Sequence, residues 1–249
     1  LYGAFFALLK ARTNRGALDI EVPEMKVQIS VSGQIEAITN RERLDSHRLI
    51  EEFMVLANVC AAETLENKKY TCVYRIHDET SSVKADGLRL NMDGYGIKLS
   101  KGQVITAKLF NEVLKNAEGH DAKEAINQLV LRSQSQAVYS PNNLGHFGLG
   151  LRRYAHFTSP IRRYSDLLVH RALISSHNFG TDGDLRPTPE ELEPICEEIS
   201  KTERRAALAE RSANDRYSAV FMTKRIGENF DALITGANNF GVFVRLDGS

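Results

Sequence analysis

Apolar residues recur every three or four positions from Asp45 to Asn67, and this spacing predicts a long amphipathic helix. A second long helical pattern runs from Pro189 to about Ile226, with alanines in its middle third that let another element approach closely. Shorter helical patterns cover residues 1–12, 81–92 and 101–117, and Asp121 is expected to cap a further helix that continues through Ala137. The chain is therefore predicted to be rich in helix.

Alternating apolar and polar residues predict strands in three regions. Near the start, the runs Ala17–Glu21, Met25–Val31 and Gln34–Thr39 predict a small meander, with Ser32-Gly33 as the turn between the last two. Tyr70–Ile76 predicts a single strand, and the tail from Phe230 to Leu246 predicts two strands joined by a Gly/Asn turn. The expected fold class is α+β, with long helices packed on a mixed sheet and a short β tail.

The segment from Ala155 to Ile174 carries the most informative combination of residues. Ser159 and Pro160 are typical of the N-cap and first position of a helix. This places Arg162 and Arg163 in the first helical turn, where two cations oppose the positive end of the helix dipole. A bound phosphate would reverse that penalty, so the pair indicates an anion site.

Within the same predicted helix, Arg163, Asp166 and His170 share one strip at spacings of three and four residues. Charges on an otherwise apolar helix indicate an internal polar channel or a paired network. Residues 151–172 hold five arginines and one acidic residue, which favours a focused site for a polyanion. The alternative is that Arg162 pairs with Asp166 four positions later while the other arginines are solvated.

The composition excludes several classes of protein. Lys plus Arg and Asp plus Glu number 32 each, so the charge does not indicate a general polyanion-binding coat. The widely spaced Cys60, Cys72 and Cys196 predict reduced thiols in a cytosolic protein, and no apolar run is long enough to span a membrane. The segment that contains Gly145, Gly148 and Gly150 lacks the lysine and the hydroxyl residue of a phosphate-binding loop for nucleoside triphosphates. A close approach of the backbone to a neighbouring element is the simpler explanation for these glycines. His77 is expected to be a satisfied core histidine.

The stretch YAHFTSPIRRYSDLLVHR (154–171) closely resembles the signature segment of the ribonuclease II and ribonuclease R family, the RNB family. Five other segments resemble segments of that family and occur in the same order. The sequences YRIHD and AHFTSPIRRY are most similar to its ribonuclease R branch. These segments are LDSHRLIEEFMVLANVCAAE (44–63), YRIHD (74–78), GHFGL (145–149), TERRAALAER (202–211) and GANNFGVFVRL (236–246). The resemblance implies that residues 1–227 are the C-terminal portion of an RNB catalytic domain. It also implies that residues 228–249 are the first strands of an incomplete OB-fold RNA-binding domain.

The resemblance implies a magnesium-dependent hydrolytic exoribonuclease that degrades RNA processively from its 3′ end and releases nucleoside 5′-monophosphates. Its expected partner is the 3′ end of single-stranded RNA, and we expect a monomeric cytoplasmic protein without membrane contact. By resemblance, Arg162 contacts the scissile phosphate and stabilises charge in the transition state. Glu52, preferred over Glu51, and Glu210 are expected to contact the terminal nucleotides. The further RNA-binding candidates are His156, Ser159, Arg163, Tyr164, His170 and Arg171.

The sequence departs from the family pattern in its metal ligands. The aspartate cluster that holds magnesium in that family is expected upstream of these residues, and no D-x-D-D grouping occurs here. Ile20 stands near the place where some relatives have an aromatic residue that stacks on a base. We expect the chain to be a fragment of a longer protein, and to be inactive alone. The alternatives are a non-catalytic RNA-binding relative and an interaction scaffold built on the 189–226 helix.

Overall fold

The computed structural model describes residues 1–20, 24–120, 122–183 and 186–246. The chain divides into two compact units. The first combines Leu1–Ile20 with Asp45–Lys201, and the second combines Glu21–Leu44 with Thr202–Ser249. The predicted domain boundary after residue 227, with the OB-type tail, stays a prediction.

Helices form most of the regular structure, and six short strands accompany them in the described residues. The helices are α1 (Tyr2–Asn14), α2 (Asp45–Asn67), α3 (Ser82–Gly94), α4 (Ala107–Asn116), α5 (Lys123–Ser133), α6 (Tyr164–His177) and α7 (Pro189–Thr223). The strands are β1 (Met25–Ile29), β2 (Ile35–Asn40), β3 (Tyr74–Ile76), β4 (Val138–Ser140), β5 (Ala232–Asn238) and β6 (Gly241–Leu246). The predicted bounds of α2 are confirmed, and no helix in the described ranges is both long and apolar enough to cross a bilayer.

The strands pair into two-stranded antiparallel sheets, β1 with β2, β3 with β4 and β5 with β6. Isolated bridges extend the β3–β4 sheet: Tyr74 pairs with Ala155 antiparallel, and His77 pairs with His146 parallel. The two-stranded tail is confirmed, whereas the strand predicted from Ala17 does not form over residues 17–20. Asn111 is the reason, because its side chain donates to Ala17 O and accepts from the Asp19 amide in place of a strand partner.

Local hydrogen bonds set the helix ends that the spacing alone did not predict. The pattern over 101–117 begins as a helix only at Ala107, because the Thr106 hydroxyl caps it by accepting from the Leu109 amide. Helix α5 ends at Ser133, before the predicted Ala137, and the carbonyl of Gln134 accepts from Lys84. The predicted cap at Asp121 lies outside the described residues.

Two apolar clusters form the core of the first unit. One joins α2, β3, β4, α6 and the start of α7, through residues such as Leu65, Val169 and Cys196. The other joins α3, α4 and α5 around Phe110 and Ile126. The first cluster fixes α6 against the β3–β4 sheet, and this positions the candidate site. All three cysteines are free thiols, as predicted.

Candidate functional site

The segment before α6 is a turn and not the first turn of the helix. Ser159 O accepts from the amides of Arg162 (3.3 Å) and Arg163 (3.1 Å), and α6 begins only at Tyr164. Arg163 occupies the N-cap position with an extended backbone (φ −126°, ψ 121°). The prediction that Ser159 caps a helix with both arginines in its first turn is therefore wrong. The Ser159 amide donates to Asp166 Oδ1 (2.8 Å), and this bond folds the segment back onto α6.

Asp166 is the centre of a closed polar network. Its Oδ2 accepts from Arg163 Nε (2.8 Å) and from the Ser165 hydroxyl (3.1 Å), and its Oδ1 accepts from Arg163 Nη2 (2.8 Å). The Asp166 side chain is fully buried. Burial opposes its ionisation, but hydrogen bonds from Arg163, the Ser159 amide and Ser165 hold the pKa of Asp166 below its usual value. The paired network predicted for this strip is present, with Arg163 in place of Arg162 as the partner.

Arg162 is left free by this arrangement. Its residue is exposed, and its guanidinium makes no ion pair within the described ranges. The neighbouring Ile161 is fully exposed. Since the backbone of the turn is held through Ser159, Arg162 projects from a fixed base and has a guanidinium available for an anion.

His156 lies where three arginines converge. Its Nδ1 shares a hydrogen bond with the Tyr139 hydroxyl (2.8 Å). Burial is the main cause that lowers the pKa of His156 to about 3, and the charges of Arg163, Arg75 and Arg162 contribute to this decrease against the opposing carboxylate of Asp166. The imidazole is therefore neutral at physiological pH, beside the exposed guanidinium of Arg162.

Arg75 belongs to this cluster but was not among the predicted site residues. Its guanidinium lies over the Tyr139 ring, 4.7 Å from the centroid, and its amide donates to Tyr154 O (2.8 Å). The signal in the sequence was the group of charges at the end of the strand that contains Arg75 and His77. The pairing of β3 with the 154–155 segment, which brings Arg75 to His156, has no local signature.

A series of edge-to-face rings connects this cluster to the β3 end. His156 contacts Tyr154 (5.6 Å between centroids), Tyr154 contacts His146 (5.3 Å), and His146 contacts His77 (5.0 Å). Burial, followed by the charges of His77 and Arg75, lowers the pKa of His146 to about 3. The prediction of a satisfied core role for His77 is confirmed: its Nε2 bonds Ser135 O and its Nδ1 accepts from the Gly148 amide.

The remaining predicted RNA-binding residues are distributed over the fold, and their contacts with RNA stay predictions. Glu52 is buried and bonded to Arg12 Nη1 (2.9 Å), whereas the Glu51 side chain is 43% exposed. His170 Nε2 bonds Phe157 O (2.8 Å), which places it one residue from His156. Tyr164 is exposed and Arg171 is half-buried on α6, and Glu210 is exposed on α7 in the second unit.

The described residues do not fit a metal centre. No group of three carboxylate, imidazole or thiol side chains lies close enough within the described ranges to hold an ion. The buried carboxylate at the site is bound to a cation instead, Asp166 to Arg163. These residues therefore supply cations for an anionic ligand and not ligands for a cation.

Comparison with known proteins decides the family. A family model described as the RNB domain matches residues 1–177. The chain belongs to the RNB domain family. Ribonuclease R of Aquifex aeolicus is 40% identical to this RNB chain over 240 residues, which are 96% of this chain and 34% of that protein. The RNB chain therefore spans about a third of the length of this curated relative.

Solved structures support the same assignment. Mycoplasma genitalium RNase R, in complex with ribose-methylated single-stranded RNA, matches 98% of the RNB chain and 39% of its own chain, with a TM-score of 0.89 and 30% identity. Yeast Ssd1, described as a pseudonuclease, matches 64% of this chain and 20% of its own, with a TM-score of 0.53 and 26% identity. The predicted α+β fold of the RNB type is confirmed.

Proposed function

We propose that this RNB chain holds the RNA-phosphate site of a ribonuclease R-type 3′-to-5′ exoribonuclease. The observation that carries the proposal is the free guanidinium of Arg162 on a turn fixed by Asp166, beside Arg75 and the neutral His156. A phosphodiester supplies an anionic partner for the guanidinium of Arg162, which has no ion pair among the described residues. The complex of a similar RNase R with single-stranded RNA supports RNA as the ligand.

Arg162 acts on the scissile phosphate in this proposal. Its guanidinium donates to non-bridging phosphate oxygens and stabilises the charge that develops as water attacks phosphorus. The bond from phosphorus to the 3′ oxygen breaks, so that a nucleoside 5′-monophosphate leaves and the shortened RNA keeps a 3′ hydroxyl. Arg163 does not contact RNA through its Nε and Nη2 groups, because both donate to Asp166. This differs from the RNA-binding role predicted for Arg163.

The longer enzyme is proposed to depend on Mg²⁺ and to act as a monomer in the cytoplasm on the 3′ ends of single-stranded RNA. Hydrolysis of this kind needs carboxylates to hold the metal. Because the described residues form no such group, we propose that the 249-residue chain binds RNA without cleaving it. Glu52 and Glu210 remain proposed contacts to the terminal nucleotides.

Incubation of the purified chain with 5′-labelled single-stranded RNA tests both parts of the proposal. With Mg²⁺ present, we expect a shifted complex in a native gel and RNA of unchanged length in a denaturing gel. Stepwise shortening would show that the chain is active alone. If the chain forms no complex with RNA at low salt, and the Arg162→Ala variant gives the same result, the phosphate site at Arg162 is excluded.

A non-catalytic RNA-binding function is the second candidate, and the structural similarity to the pseudonuclease Ssd1 favours keeping it. Both candidates predict binding by the chain, so cleavage by a longer protein that contains it discriminates between them. Release of nucleoside 5′-monophosphates with Mg²⁺ supports the enzyme. Binding of RNA without release of mononucleotides, at a protein concentration equal to that of the RNA, supports the binding module.

A further inference from the structure

A cavity lies in the first unit apart from the candidate site, and its lining does not include Arg162, Arg75 or His156. Its volume is about 1110 Å³. The walls come from the end of α1, one face of α4 and the loop of residues 143–152 that follows β4. Small-molecule sites typically have volumes of about 300–1000 Å³, so this cavity is large enough for a nucleotide.

The charged groups around this cavity are mainly positive. Arg15, Lys108, Lys115 and Arg152 face two acidic residues, Glu79 and Glu112. Lys108, Lys115 and Arg152 are exposed and make no ion pair among the described residues. Arg15 donates its Nε to Leu149 O, and its buried Nη2 has no acceptor. The cavity therefore offers cationic donors in excess of acceptors, which is the requirement for an anionic ligand.

The start of α4 adds to this positive field. Thr106, Ala107 and Lys108 line the cavity, so the N-terminal end of a ten-residue helix opens onto it. Lys108 and Lys115 lie seven residues apart on the cavity face of α4. The N-terminal turn of α4 and Lys108 border this volume, and Lys115 lines it from the last turn of the helix, an arrangement that favours an anionic ligand such as a phosphate group.

The loop of residues 143–152 contributes apolar and neutral groups beside Arg152. Leu144, Phe147 and Leu151 line the cavity together with His146, whose buried imidazole has a pKa of about 3 and is uncharged at physiological pH. A ligand that uses both the cationic and the apolar groups carries a phosphate and a flat, weakly polar group. A nucleotide has this chemistry, whereas inorganic phosphate or a free base uses only one of the two kinds of group.

The loop wall is held in one shape by its three glycines. A Cβ on Gly150 would lie 2.8 Å from Arg15 O, and one on Gly145 would lie 2.9 Å from Leu151 O. A Cβ on Gly148 would lie 3.0 Å from His77 Nδ1. The glycines therefore serve close packing of the loop, in agreement with the sequence analysis. A wall fixed in this way loses little freedom when a ligand binds.

We propose that this cavity binds a nucleoside 5′-monophosphate, with its phosphate on Lys108, Lys115 and Arg152 and its base against Phe147 and Leu151. Binding at this site does not depend on the proposed exoribonuclease activity. Only the source of the ligand, as a released product, rests on that proposed function.

Isothermal titration of the 249-residue chain with AMP tests the proposal, with adenosine and inorganic phosphate as separate ligands. We expect AMP to bind at least tenfold more tightly than either part. The double substitution Lys108→Ala and Arg152→Ala is expected to weaken AMP at least tenfold, and Lys115→Ala severalfold. The matched control is Lys98→Ala with Lys101→Ala, two exposed lysines outside the cavity, and it should leave AMP binding unchanged.

The Arg162→Ala variant separates this site from the RNA-phosphate site. We expect it to bind AMP as the parent chain does while it loses affinity for RNA, and the Lys108/Arg152 variant to show the reverse. Equal AMP affinity in the cavity and control variants would overturn the proposal, and so would loss of AMP binding in Arg162→Ala. A five-nucleotide RNA that binds more tightly than AMP through Lys108 and Arg152 would assign the cavity to polynucleotides and also overturn it.

Discussion

Asp166 binds Arg163 through two hydrogen bonds of 2.8 Å each, and this pairing leaves the adjacent Arg162 free. The same carboxylate accepts from the Ser159 amide, so one buried side chain fixes both ends of the turn that carries Arg162. The two adjacent arginines thus have different tasks. Arg163 stabilises the turn, and Arg162 is available to a ligand.

Replacement of Asp166 by Asn is expected to destabilise the chain by about 3 kcal/mol, because it leaves the half-buried Arg163 charge without its partner. Urea unfolding followed by circular dichroism measures the loss. Asp45→Asn is the matched control, since Asp45 forms an exposed pair with Arg48 and its loss should cost under about 1 kcal/mol. Equal losses in the two variants would show that the Asp166 network does not stabilise the fold.

Replacement of Arg162 by Ala is expected to leave the free energy of unfolding within about 0.5 kcal/mol of the parent chain, since the side chain makes no ion pair among the described residues. It should reduce the slope of log Kd against log salt concentration for single-stranded RNA by about 0.7, the value for one phosphate contact. Fluorescence anisotropy at several salt concentrations measures this slope. An unchanged slope, as expected for the control Lys101→Ala, would exclude a phosphate contact at Arg162.

The buried histidines predict a loss of stability in mild acid. The folded-state pKa values of His146 and His156 are about 3, below the value of about 6.5 expected in the unfolded chain. Between these values the unfolded chain binds protons that the folded chain does not. Stability is therefore fully present above about pH 6.5 and falls as the pH decreases toward 3, by at most about 1.4 kcal/mol per pH unit for each histidine.

Urea unfolding between pH 5 and pH 7 measures this dependence above the range in which most carboxylates titrate. His156→Gln should reduce the slope of stability against pH relative to the parent chain. A slope that is the same in the two proteins would contradict the assignment of a depressed pKa to His156.

Two glycine substitutions are expected to have opposite signs. Gly150 has a φ of +61° and would bring a Cβ within 2.8 Å of Arg15 O, so Gly150→Ala should destabilise the chain by more than about 1 kcal/mol. Gly87 lies within α3 with open space at its Cβ, and Gly87→Ala should stabilise it by up to about 1 kcal/mol. Thermal unfolding compares the two, and stabilisation by both would show that the loop tolerates a side chain.

Periodicity predicted the elements whose stability depends on an apolar face. Helix α2 was predicted from residues such as Leu49, Phe53 and Ala61, which repeat at helical spacing, and Leu49 and Ala61 are buried. The start of α6 was predicted four residues too early, because Ser159-Pro160 has the local form of a helix cap. The competing bond from the Ser159 amide to Asp166, seven residues later, depends on how the turn folds back.

Only part of the candidate site was predicted from the sequence, because some of its contacts join residues that are far apart along the chain. The adjacent residues Arg162 and Arg163 indicated an anion site from the sequence, whereas His156 was a candidate only through the resemblance to the RNB family. Arg75 reaches His156 only through the pairing of β3 with residues 154 and 155, across about eighty positions of the chain. Glu52 is bound by Arg12, forty residues away, and no local pattern predicts that partner.

The substitution Arg162→Lys in a longer RNA-cleaving protein that contains this chain tests the central claim most directly. Lysine keeps the charge but loses the planar two-point hydrogen bonding of the guanidinium. We predict that Kd for RNA stays within severalfold while kcat falls by about a hundredfold, as expected for the loss of a transition-state donor. A parallel decrease in binding and turnover would make Arg162 a positioning contact and contradict the account.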